Sequence, residues 1–351
     1  MTADELAALV DNGDPVRKLS LAGANLAGGG FLAAVFEAVD FAGADLSNTN
    51  LRHANFIHCS LAGANLERAD LAGAAFVECD LTDAALAGAC LDKTNFVKSA
   101  LVRTRLPGTL LSYTVMVECD LTDAIFAGAR LERGSIVKCV TAGIDISATE
   151  WQRAAMLNAD LRTARIDGAR FARCTLIEAN FSGRALPGLS IAACALTKAD
   201  FTGCDLTGAD LTQCMLIEAR LPGARLTGAK LARAVLRKAD LTHADLSNAD
   251  LMQAILVDAK ASEASFAGAT LFQCTATGLD ATNANFQGAD LRNADFSHAK
   301  FDRADLRGVA MDRTNFHAVS EQDARISSRQ GMLPPDRDRV IAEAWLQQAH
   351  G

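Results

Sequence analysis

The side chains of this chain that could ligate a metal or act on a substrate are ten cysteines, six histidines and many aspartates. Their spacing argues against such chemistry. His53, His58, His243 and His298 form no His/His or Cys/His pair at helical ligand spacing. No phosphate loop of the GxxxxGK type occurs. Aspartates such as Asp240 and Asp245 lie five apart, and five is the general interval of this chain rather than the mark of a catalytic pair. Cys59, Cys79, Cys119, Cys139, Cys174, Cys194, Cys204, Cys214 and Cys274 all stand two residues before a position number ending in 1 or 6, and only Cys90 departs. Free cysteine at such a place behaves as a small buried hydrophobe. Cys59 and Cys79, or Cys119 and Cys139, are twenty apart. If successive coils stack, their Cα atoms come within disulfide reach, and a reducing compartment would keep them as thiols. The expectation is no enzyme: no catalytic residue, no metal ligand and no cofactor.

The element that positions these residues is a five-residue period running from Leu21 to Phe316 without a slip. Every centre, at numbers ending in 1 or 6, is Leu, Phe, Ile, Met or Trp except Thr141, Ala261, Ala276 and Ala281. Two residues before each centre stands a small residue, with Leu19, Ile144, Arg184, Leu189 and Leu279 as the large exceptions. Neither an α-helix nor a flat strand has this period. A chain that turns a corner every five residues does, with the centre and the small residue pointing inward. Four pentads close one coil. The repeat then makes about 15 coils, stacked at roughly 4.8 Å into a rod of about 70 Å.

Runs such as Ala239-Asp-Leu-Thr-His-Ala-Asp-Leu-Ser-Asn-Ala-Asp-Leu251 resemble the A(D/N)LXX signature of pentapeptide-repeat proteins. The resemblance implies an all-β solenoid, a right-handed quadrilateral β-helix, in a family that is mostly non-enzymatic. It leaves the function open, because one fold hosts many.

The expected domains are a lead-in with a cap helix over 1–20, the β-helix over 21–317 and a tail over 318–351. Thr2-Ala-Asp-Glu5 has capping-box spacing ahead of Leu6, Leu9 and Val10. In the tail, Val340, Ile341, Ala344 and Trp345 share one face of a second short helix. That face is expected either to cap the last coil or to meet a second copy or a partner. Thr141 to Trp151 is expected to form a bulged or widened coil, and Arg184 to distort its coil to reach water or a carboxylate. Polar residues interrupt every pentad, so no membrane span is expected. The acidic N-terminus lacks the basic start of a signal peptide, and the chain is read as cytoplasmic.

Counting in twenties assigns outward residues to faces. One column, just after the centres, reads Ile57, Val77, Val97, Val117, Val137, Leu157, Ile177, Thr197, Ile217, Arg237 and Val257. Its aliphatic members form a candidate partner-binding ridge, with self-stacking plus strand propensity as the alternative. The next column, from His58 and Glu78 through Lys98 and Glu118, nearly alternates in sign, which cross-strand pairing explains. Another face is acidic, with Asp40, Asp80, Asp83, Asp120, Asp123, Asp200 and Asp240. A third is basic, with Arg130, Arg133, Arg170, Arg173, Lys230 and Arg233.

Two functions fit. The first is a protein-binding scaffold or adaptor. The alanine-rich, unbroken texture is similar to pentapeptide-repeat proteins associated with bacterial type VI secretion, which implies an accessory factor there. The second is mimicry of DNA: some family members resemble B-form DNA and bind DNA gyrase, conferring quinolone resistance or self-protection. The net charge of −8 fits, but it is far sparser than the one charge per roughly 1.7 Å of duplex. Expected partners are proteins, with a homodimer through an end or the C-terminal helix also open; neither nucleic acid nor membrane is expected to be bound directly.

Overall fold

The structure, a computed structural model, describes residues 1–334, 341 and 345. It is an all-β solenoid of about 16 turns, in two compact units, Met1–Asn180 and Phe181–Gly351.

The first unit opens with helix α1, Ala3–Asp11. Thr2 accepts a hydrogen bond from the Glu5 amide, and the Glu5 carboxylate accepts one from the Thr2 amide (2.8 Å), which completes the expected capping box. Leu6 is fully buried, whereas Leu9 stays largely exposed. The chain then coils with a register of twenty. Strands β1 (Val16–Arg17), β2 (Val35–Glu37), β3 (Asn55–Ile57), β4 (Ala75–Val77), β5 (Asn95–Val97) and β6 (Val115–Val117) form a parallel sheet, and β8 (Ser135–Val137) and β10 (Ala155–Leu157) complete its eight strands. Phe36, Phe56, Phe76, Phe96, Met116, Ile136 and Met156 are successive Cα partners down its inner side. A second sheet of three, β7 (Arg130–Glu132), β9 (Glu150–Gln152) and β11 (Arg170–Ala172), lies on the adjoining side.

Two kinds of corner follow from the sequence. At most pentads the small residue's amide bonds back to the centre's carbonyl, as Ala24 to Leu21 at 3.0 Å, and the residue between has positive φ, as Gly23 at 65°. This is the signature of a type II turn. His53, at φ 59°, shows that non-glycine residues accept the same place. Along the eight-stranded sheet the backbone instead stays extended through the centre and the residue after it. β-Branched residues there (Ile57, Val77, Val97, Val117, Val137) favour that conformation.

The inward small position does more than fill space. The thiol of Cys59 donates to the Phe36 carbonyl of the previous coil (3.4 Å), Cys79 to Phe56 (3.3 Å), Ser99 to Phe76 (3.2 Å) and Cys119 to Phe96 (3.4 Å). Thr94 and Thr114 do the same one side earlier. A carbonyl has two lone pairs, so such donors supplement the ladder. All ten cysteines are free thiols.

At Thr141 to Trp151, where a bulged or widened coil is expected, the departure is local: the Thr141 hydroxyl donates to the Asp160 carbonyl (2.9 Å) and the Gly143 amide to Thr163 Oγ1 (3.0 Å), where neighbouring coils use backbone pairs. Ile125, Asp145 and Arg165 keep the register of twenty through it. The register holds because volume is conserved: Ile144, large where a small residue belongs, follows the small centre Thr141 by three residues, and the two are 0% and 2% exposed. Leu279 stands in the same relation to Ala276 and Ala281, all fully buried.

In the second unit the tight corner recurs from Phe181, where the Arg184 amide meets the Phe181 carbonyl at 3.2 Å. Arg184 is half-buried. Strands β12 (Asp305–Leu306) and β13 (Arg325–Ile326) pair in parallel and carry the coil beyond the expected end at 317. Val340 and most of the expected C-terminal helix lie outside the described residues. Ile341 and Trp345 are helical and 68% and 67% exposed, so these two residues do not cap a coil. Among the described residues no helix is long and apolar enough to cross a membrane.

Candidate protein-docking face

The outer side of the eight-stranded sheet carries the expected ridge. Ile57, Val77, Val97, Val117, Val137 and Leu157 are Cα partners in unbroken parallel register, and Ile177 follows in the same unit. Each is half-buried rather than fully exposed. Stacking at about 4.8 Å covers the flanks of each side chain and leaves its outer edge in water. In the second unit Ile217 and Val257 are likewise half-buried, while Thr197 and Arg237 interrupt the column.

The larger apolar exposures fall at positions the sequence reading passed over. In the second unit these are Met215 (46%), Met252 and Ile255, beside Ile217 and Val257. In the first, beyond Met1 and Leu9 at the N-terminal end, they are Leu32, Leu110, Tyr113 and Val140. Met215 and Ile255 lie just before their centres in the coils that hold Ile217 and Val257. Tracking the column before the centre as well as the one after it would have found them.

Charge on these surfaces is largely used locally. In the column beside the ridge, His58 Nδ1 lies 3.2 Å from Glu78 and Asn158 donates to Glu178 at 2.6 Å. The aspartates before the centres act as turn-makers: Asp40, Asp80, Asp120 and Asp200 each accept the amide of the residue two further on, at 2.9–3.0 Å. Bonds from the Ser47 hydroxyl and amide hold the Asp45 carboxyl below the usual carboxylate range, and the Thr207 hydroxyl and amide do so for Asp205. Arg103 grips Asp83 with two bonds (2.8 and 2.7 Å) and lowers its pKa in turn. Arg220 and Arg225 sit 3.5 Å from Asp200 and Asp205. Asp40, Asp80, Asp120 and Asp200 are thus bonded into corners, and Asp83, Asp200 and Asp205 also face arginines.

Among the described residues no group of three or more His, Cys, Asp or Glu is placed to hold a metal. Burial pushes the Cys214 thiol up to about 12 and raises Cys204, which leaves both poor nucleophiles. A hollow beside α1 is lined by Met1, Leu9, Asn12, Asp14, Pro15, Val16, Arg17 and Leu19, a set with no nucleophile and base pair.

Several solved structures resemble the chain. HetL, a pentapeptide repeat protein involved in heterocyst differentiation regulation from the cyanobacterium Nostoc sp. strain PCC 7120, is 25% identical, with 67% of this chain and 92% of that one covered and a TM-score of 0.28. Full-length QnrB1, a plasmid-mediated fluoroquinolone resistance protein, is 20% identical over 57% of this chain and 92% of its own, with a TM-score of 0.37. A pentapeptide repeat protein of the Arabidopsis thaliana thylakoid lumen is 23% identical over 40% of this chain and 90% of its own, with a TM-score of 0.22. No curated protein matches the sequence. The family model for pentapeptide repeats matches eight copies, at residues 20–57, 31–68, 59–96, 99–134, 152–183, 194–231, 223–257 and 282–317. With that repeat matched over most of its length and a register of twenty recurring within each unit, the chain belongs to the pentapeptide-repeat family.

Proposed function

We propose that the protein is a non-catalytic scaffold or adaptor that binds a protein partner through the outer side of the eight-stranded sheet. The observation that carries this reading is the continuous, half-exposed aliphatic column Ile57 to Ile177, a surface longer than single scattered apolar residues would make. The DNA-mimic reading is weaker on this geometry, because Asp83 and Asp200 of the acidic face are answered by Arg103 and Arg220 and the charge left is far sparser than that of a duplex. The alanine-rich texture is what supports an accessory role in type VI secretion. The exposed Ile341 and Trp345 support a homodimer through the C-terminal segment, and a sedimentation profile unchanged by Ile341→Ser/Trp345→Ser would refute it.

The test compares what co-purifies with the wild type and with Val97→Lys/Val117→Glu/Val137→Lys. Alternating signs let the new side chains pair down the sheet, as His58 and Glu78 do, so the coil is preserved. Proteins lost only from the variant mark the ridge as the docking surface. Topoisomerase subunits retained by both would overturn the scaffold reading in favour of mimicry.

A further inference from the structure

Near the ridge, at the corner shared by the two sheets of the first unit, Arg133, Arg153 and Arg173 occupy the positive-φ place of three successive coils, with φ of 54°, 53° and 56°. The Arg133 amide bonds to the Gln152 carbonyl and the Arg153 amide to the Ala172 carbonyl, both at 3.0 Å, which fixes the stacking. All three side chains are exposed. Like charges one strand spacing apart repel, and elsewhere the fold avoids this arrangement. In the second unit the same column reads Arg233, Gln253, Gln273 and is joined by side-chain hydrogen bonds of 2.9 Å. Arg103, at another corner, is answered by Asp83. Arg133 lies over the Tyr113 ring, 5.6 Å from its centroid, but among the described residues Arg153 and Arg173 have no ion-pair partner. An acidic protein has thus kept a stacked arginine ladder at the edge of the face that carries its apolar ridge, separated from it by the small column Ser135, Ala155 and Thr175.

We propose that this corner docks an acidic amphipathic helix of a protein partner, its carboxylates on the arginine ladder and its apolar stripe on Val137, Leu157 and Ile177. The inference rests on the scaffold reading and specifies the partner's chemistry. Charge complementarity selects an acidic occupant, and the nearby aliphatic column selects an amphipathic one. The spacing selects a helix: side chains three and four apart recur about every 5 Å along an α-helix, close to the ladder step of roughly 4.8 Å. A nucleic acid backbone has nothing to place on the aliphatic column.

The experiment is fluorescence anisotropy with a labelled helical peptide of about 20 residues, leucine along one stripe and glutamate flanking it. The controls are the same peptide with lysine for glutamate, and a short DNA duplex. Binding of the glutamate peptide alone, weakened at least about tenfold by Arg153→Glu/Arg173→Glu and lost with rising salt, is the expected result. The milder Arg153→Gln guards against misfolding: it relieves the stacked repulsion, so its thermal midpoint stays level or rises while affinity falls. A peptide that fails to bind, or that binds the charge-reversed variant equally, overturns the inference, and preferential binding of the duplex overturns it in favour of nucleic acid. If the peptide fails while the ridge variant still sheds co-purifying proteins, only this inference falls; if the ridge variant sheds nothing, the scaffold reading falls with it.

Discussion

Replacing Phe76 by alanine tests whether stability here is passed only between neighbouring coils. Phe76 is fully buried and lies between Phe56, with ring centroids 4.6 Å apart and planes 4° apart, and Phe96, at 4.9 Å and 6°. Removing the ring takes away its burial and both stacked contacts and leaves a cavity that the rigid ladder cannot close. The cost of such a truncation is about 3–5 kcal/mol. In a solenoid this cost falls on the two interfaces that the residue joins. Native-state hydrogen exchange should therefore show amides between Ala54 and Lys98 exchanging on the order of 10²–10³ times faster, with much smaller changes in the coils from Leu121 to Asn180. Equal acceleration across the whole first unit would refute nearest-neighbour stability. No acceleration would refute the packing role of the stacked rings.

Other expectations concern corners, thiols and the one buried indole. Asp205 has its folded pKa lowered by bonds from Thr207, so its contribution is present above the unfolded carboxylate value of about 3.9 and disappears as pH falls through the lower folded value. Thermal midpoints measured downward from pH 6 should fall less steeply for Asp205→Asn, which keeps the acceptor, and Asp205→Ala should cost about 1 kcal/mol at neutral pH. Cys90 is the exposed cysteine; a thiol reagent should modify it promptly in the native protein, and Cys90→Ser should leave only slow labelling that follows unfolding. The Trp151 indole donates to Thr149 Oγ1 at 2.8 Å in a buried setting. Thr149→Val strands that donor and should cost about 1–3 kcal/mol in urea unfolding followed by fluorescence, whereas Thr149→Ser should be nearly neutral.

The sequence alone determined the coil. An unbroken interval of five defines which residues point inward, four intervals close a turn, and the absence of insertions lets outward columns be counted in twenties. Thr2 and Glu5 announced α1, and eight of the nine cysteines of the small inward place are buried as read, Cys139 being only half-buried. Tertiary structure decided how each corner is made and how exposed each column is. Ile144 looked like a defect because its compensation, the small Thr141, becomes apparent only when the two share one coil interior. The ridge looked fully exposed because stacking between coils, which covers its flanks, is absent from a one-dimensional pattern. The C-terminal helix is a residue pattern whose packing a sequence cannot decide, and Ile341 and Trp345 proved exposed. Arg133, Arg153 and Arg173 stood in the sequence at intervals of twenty. That Arg153 and Arg173 lack an ion-pair partner among the described residues depends on the reach of neighbouring side chains, and only the folded chain fixes that.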